Sequence, residues 1–134
     1  MYLHTCPICE RPLKNPNQWH NCVKVNIDDL FKGKKEELVY VFDQILAEII
    51  DWEGVAASAT QNCIVFVRTQ TFLIIRPMKK ELDIKFYLPE KSDSEQIFKS
   101  TLYGGKWEHH IRLSELEQLS DEVFSFLRKS YEMF

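Results

Sequence analysis

Leu82-Asp83-Ile84-Lys85-Phe86-Tyr87-Leu88 alternates apolar and polar side chains at every step. A period of two residues is that of a strand with one face buried and one face wet, so these seven residues predict a half-buried β-strand. Working backwards, Cys63 to Arg68 and Phe72 to Arg76 are rich in β-branched and aromatic residues and flank Thr69-Gln70-Thr71, the pattern of a hairpin. Pro77 stops the second of these strands, and Met78-Lys79-Lys80-Glu81 turns the chain into the stretch quoted above. Working forwards, Pro89 to Ser94 reads as a loop, and Ser94 to Tyr103 as a segment with one or two helical turns. Gly104-Gly105 then punctuates the chain before Trp107 to Leu113, where Trp107, His109, Ile111 and Leu113 alternate with Glu108, His110 and Arg112. Residues 55–60 carry only small side chains and fit either an edge strand or a loop.

Helical spacing brackets this run of strands. Leu38, Val41, Phe42, Ile45, Leu46 and Ile49 recur at three- and four-residue intervals, with Glu36, Glu37, Asp43, Gln44 and Glu48 on the opposite face. They predict a helix of about four turns that ends before Gly54. Leu116, Leu119, Val123, Phe126, Leu127 and Tyr131 form a second apolar stripe, begun either by a capping box of Ser114 with Glu117 or by Ser120-Asp121-Glu122. In the connector ahead of the first helix, Leu30 and Phe31 are placed to pin the chain to the main domain. The predicted fold class is α+β: a small antiparallel sheet of four or five strands, with N- and C-terminal helices packed on one face. Its core should join Leu38, Phe42, Ile45 and Ile49 to Ile84, Phe86, Ile111, Val123 and Leu127.

The first 26 residues follow another logic. Cys6-Pro7-Ile8-Cys9, then His20-Asn21-Cys22, supply four soft ligands in the order Cys-x2-Cys-x10-His-x-Cys. Zinc takes four such donors in a tetrahedron, and a closed set marks a structural ion and not a catalytic one. Pro7, Pro12, Asn15 and Pro16 suit turns in between. We therefore expect a zinc-knuckle loop over 1–26 as a metal-binding segment, with Cys6, Cys9, His20 and Cys22 as ligands, ahead of an α+β domain over 27–134. Hydrophobic content of 45% and aromatic content of 13% are those of a chain that folds. No apolar leader opens the sequence and no stretch is long enough to cross a membrane. With cysteines assigned to metal, this points to a reducing, cytoplasmic setting. The fourth cysteine, Cys63, reads as a small core residue.

A formal net charge of −3 disfavours coating of nucleic acid or anionic membrane by bulk attraction, and leaves a local basic face open. By parity, Lys85 and Tyr87 lie opposite the buried row of their strand, as do Glu108, His110 and Arg112 on theirs; Arg68 and Arg76 end the hairpin strands. Arg68, Arg76, Lys85, Tyr87, His110 and Arg112 are thus candidate ligand-binding residues, suited to phosphate contact and base stacking. Lys14, Asn15, Asn17 and Trp19 of the zinc loop would add a second contact. The competing reading is an ordinary solvated face. His109 and His110 are adjacent in a strand and cannot share a site. His109 belongs with the core row, and His110 beside Glu108 carries a weaker, catalytic reading.

Leu30-Phe31-Lys32-Gly33-Lys34, Trp107 to Leu113 and the Asp121-Glu122-Val123 helix ending in Tyr131 resemble an uncharacterised bacterial family, domain of unknown function 5655. The resemblance spans roughly residues 30 to 133. It implies a compact α+β domain, found alone or behind short zinc-binding segments, and brings no catalytic residues with it. The expected function is a non-catalytic, zinc-containing binding or adaptor protein for nucleic acid or a nucleic-acid-processing partner. The alternative is a small-molecule-binding regulatory domain with a pocket between sheet and C-terminal helix, near Tyr87, Trp107 and His110.

Overall fold

The alternation over 82–88 is realised as the centre of a six-stranded antiparallel sheet, seen in a computed structural model that describes residues 27–134 and, ahead of them, the backbone of two short strands, β1 (His4–Thr5) and β2 (Pro12–Leu13). These two pair with each other, His4 opposite Leu13 and Thr5 opposite Pro12. The main unit begins with a 3-10 turn over Ile27–Phe31 and helix α1 (Glu37–Ile49). Strands β3 (Ala56–Ala59), β4 (Ile64–Val67), β5 (Thr71–Pro77), β6 (Leu82–Leu88), β7 (Ile97–Tyr103) and β8 (Lys106–Leu113) follow, then helix α2 (Asp121–Glu132). Strand order is β3-β4-β5-β6-β8-β7, so the last strand is inserted between β6 and β7.

The sheet has more strands than the four or five expected, because 97–103 is a strand and not a helical segment. Gly104 and Gly105 both have positive φ, 58° and 81°. Two such residues make the tight turn whose twist matches a hairpin, and they fold β7 onto β8 with Tyr103 opposite Lys106. Alternation is blurred in β7 because Phe98, Leu102 and Tyr103 are all exposed. The small residues of 55–60 do form an edge strand, β3.

One face of the sheet carries the core. Ile64, Phe66, Leu73, Ile75, Leu82, Ile84, Phe86, Ile111 and Leu113 are buried there against Leu38, Val41, Phe42, Ile45 and Ile49 of α1 and Val123 and Leu127 of α2. Leu30 is buried in the same cluster and Phe31 packs on Phe42, ring centroids 5.4 Å apart, which pins the connector as expected. Helix α2 starts at Ser120, whose hydroxyl accepts the Val123 N–H. The Ser114 hydroxyl and the Ser114 and Glu115 N–H groups donate to the Gln118 carboxamide instead, in a separate 3-10 turn over Leu116–Gln118.

Two buried polar groups tie these layers together. Pairing of β5 with β6 stops at Leu73–Phe86, although both strands run on. Beyond that point, the Ser130 hydroxyl of α2 accepts the Tyr87 N–H at 2.9 Å and donates to the Phe72 carbonyl at 2.6 Å. A helix side chain thus bridges two strands where a backbone rung would otherwise lie. His109, 0% exposed, stacks on Phe86 at 5.5 Å, accepts the Ser92 N–H at Nε2 and faces the Trp107 carbonyl with Nδ1. Those partners require the neutral ring with its proton on Nδ1. Burial, opposed in part by the Trp107 carbonyl, pulls the pKa of His109 below its ordinary 6.5.

Replacing Ser130 by Ala leaves a buried N–H and a buried carbonyl unpaired, and should cost roughly 2–4 kcal/mol in urea denaturation; a loss under about 1 kcal/mol would show the bridge to be dispensable. For His109, the folded state resists protonation while the unfolded chain does not. Its contribution to stability is therefore complete above 6.5 and declines as pH falls from there towards the lowered folded value. Melting temperatures measured from about pH 7 down to about pH 5 should fall, and His109→Gln should flatten that slope. An unchanged slope would remove His109 as its source.

Candidate functional site

The face away from the helices is built by strand register. Arg76, Asp83 and Arg112 stand side by side across β5, β6 and β8. The next row runs Ile74, Lys85, His110 and Lys99, the last on β7. A third joins Tyr87, Glu108 and Thr101. Side chains two apart on one strand therefore meet those of its neighbours, as the pleat requires.

The charges in these rows pair with one another. Arg112 Nη1 lies 3.2 Å from Glu81 Oε1, and its Nε lies 3.6 Å from Asp83 Oδ1. The other Asp83 oxygen is 3.1 Å from His110 Nδ1, and His110 Nε2 is 3.4 Å from Glu108 Oε1. That same Glu108 oxygen is 3.8 Å from Lys85 Nζ. The result is a continuous chain, Glu81–Arg112–Asp83–His110–Glu108–Lys85, of three carboxylates, two fixed cations and one imidazole. Its side chains are 14–36% exposed, so the chain is partly shielded and yet open to a partner. Arg112 also lies under the Phe98 ring at 4.0 Å, which places the guanidinium between an aromatic face and two acids.

Four of the six candidates from the sequence, Arg76, Lys85, His110 and Arg112, thus converge on this face. Arg76 is exposed and makes no ion pair among the described residues. Tyr87 lies in the same row but is only 8% exposed: Phe134 packs edge-on against it at 5.8 Å and Lys106 Nζ sits 4.7 Å from its ring. Burial, with the nearby Glu108, pushes its pKa up. Arg68 is elsewhere. Its guanidinium lies 4.3 Å from the Tyr131 ring and donates to the Tyr131 carbonyl at 3.4 Å, at the end of α2. His110 and Trp107 occupy rows on opposite faces, which parts the residues grouped around the alternative pocket.

Glu108 beside His110 is the one carboxylate contact the sequence reading anticipated; the pairing of Glu81 and Asp83 with Arg112, of Asp83 with His110 and of Glu108 with Lys85 is what it missed. Asp83 and Glu108 share the parity of Lys85 and Arg112, and that parity was visible; which cation each one meets depends on register, which was not. Cys63 is half-buried, and burial pushes its thiol pKa up. Among the described residues no group of three or more His, Cys, Asp and Glu side chains is arranged to hold a metal ion, and no helix is long and apolar enough to cross a membrane. Cys6, Cys9, His20 and Cys22 lie outside the described residues.

No curated protein and no solved structure matches the chain. The family model described as "Domain of unknown function (DUF5655)" matches residues 27–133, the 3-10 turn, both helices and all six strands of the main sheet. The chain belongs to the DUF5655 family.

Proposed function

We propose that this chain is a non-catalytic binding protein, an adaptor that offers the open face of its sheet to a protein partner and carries a structural zinc ion at its N-terminus. The observation that carries this reading is the paired charge chain on that face, in which each cation has a carboxylate beside it. Lys85 and Arg112, which alone would suit phosphates, already have carboxylate partners. A nucleic-acid backbone would have to displace Glu81, Asp83 and Glu108 or tolerate them at close range, which like-charge repulsion opposes. Alternating charge with a few unpaired cations suits a complementary protein surface, where such patterns set orientation and partner choice. Both nitrogens of His110 face carboxylates, an arrangement that favours a structural over a catalytic imidazole.

This favours a nucleic-acid-processing protein over nucleic acid itself as the partner. Arg76 and Lys99 are exposed on the face and outside its ion pairs, so the double variant Arg76→Glu, Lys99→Glu should keep its melting temperature and lose the partner. Oligonucleotide titrations at about 50 mM salt decide between the two partner classes. The protein reading expects no steep salt dependence; tight, salt-sensitive binding that the double variant abolishes would replace it with direct nucleic-acid contact.

At the N-terminus, Cys6, Cys9, His20 and Cys22 would hold the ion through three thiolates and one imidazole, a closed set that leaves no position for substrate. What supports this is the spacing Cys-x2-Cys-x10-His-x-Cys, two pairs of soft donors separated by a turn-rich stretch. Metal analysis should find one zinc per chain, and Cys9→Ser should lose it while the melt of the main sheet persists. Less than about half an equivalent in the parent protein would defeat the assignment.

A further inference from the structure

A second site lies away from the open face, at the end of the molecule where the β5–β6 turn meets the connector before α1. Gly33, Lys35, Lys79, Lys80 and Ser114 line a cleft of about 580 Å³. Its walls come from three distant parts of the chain, locked by hydrogen bonds. The Lys35 N–H donates to the Lys79 carbonyl at 2.9 Å, the Met78 N–H closes the turn on the Glu81 carbonyl at 2.8 Å, and Lys35 Nζ reaches the Ser114 carbonyl at 3.1 Å.

The charge here is not compensated as it is on the sheet. Glu81 is held by Arg112, and the Glu37 carboxylate accepts the Leu116 N–H at 3.0 Å. Lys32 is paired with Asp29 at 2.8 Å, and Lys34 Nζ is turned to the Leu30 carbonyl. Lys79 and Lys80 are exposed, with no side-chain partner among the described residues. Lys35, Lys79 and Lys80 thus bring three positive charges to the lining, which carries no acid, in a protein whose total is −3.

We propose that this cleft binds an oligophosphate group, either free or as the diphosphate of a nucleotide. Lysine ammoniums act as point charges that approach from several directions, which suits the tetrahedral oxygens of phosphate better than the planar fork of a carboxylate. The volume falls in the range of small-ligand sites and exceeds what one phosphate fills. The site is independent of the partner-binding reading above, since it shares no residue with the open face.

Isothermal titration of the full chain with pyrophosphate and with ADP, each at about 50 mM salt, tests the proposal. Pyrophosphate should bind, more weakly as salt rises. Lys79→Gln with Lys80→Gln should weaken it at least about tenfold, the scale of one charged hydrogen bond. Lys129→Gln, a control on α2, should change nothing. Tighter binding of ADP than of pyrophosphate places a nucleoside in the cleft, and equal binding places the phosphates there alone; both sustain the site. Absence of pyrophosphate binding in the parent chain, or equal affinity in the double variant with its melting temperature intact, overturns it.

Discussion

One hydroxyl, that of Ser130, holds the C-terminal helix in a single position on the sheet. It can satisfy Tyr87 and Phe72 together only if α2 neither slides nor rotates. With α2 so placed, Phe126 stacks on Phe86 at 5.3 Å, and the Tyr131 hydroxyl reaches the Glu53 carbonyl at 2.6 Å. Trp52 packs on Tyr131 at 5.1 Å, which ties the segment after α1 to the same helix. Arg68 then finds both a ring and the Tyr131 carbonyl at the helix C-terminus, where a cation is favoured. A buried, two-sided hydrogen bond of this kind adds specificity beyond what apolar packing provides, because each alternative placement leaves polar groups unpaired.

Much of this architecture was legible in the residues. Leu82–Leu88 and Trp107–Leu113 have one dry and one wet face, so their side chains record the pleat directly, and α1 records its stripe in the same way. Strand β7 has no dry row of its own, and only the Gly104-Gly105 turn betrays it. The insertion of β8 beside β6 depends on pairing between distant segments, which no local pattern encodes. Tyr87 shows the limit of parity: it lies in the outward row, yet the chain terminus covers it.

For the candidate face, composition told half of the story. The cations on alternate positions of β6 and β8 were visible, and so were the acids beside them, but a face of free cations differs from one of paired charges only through register. Asp83 falls opposite Arg112 and beside His110, and Glu108 reaches both His110 and Lys85. A one-residue slip would have set these side chains on the other face and left no such chain. The lysine cleft was invisible for a related reason, since it joins residues 33–35, 79–80 and 114.

The placement of β8 also governs which strands border the sheet. With β8 in the interior of the sheet, the strongly apolar β6 is never a border, and the outermost strands are the four-residue β3 and β7. The former is too short and too small-sided to recruit another chain. The latter exposes Phe98, Leu102 and Tyr103, an invitation to unwanted strand addition, but it is broken by a register shift between Ile97 and Lys99 and bears the Lys99 charge beside it. A bulge and a lysine on a border strand both discourage continuation of the ladder. The irregularity that interrupts β7 thus also guards the sheet against growing into its neighbours.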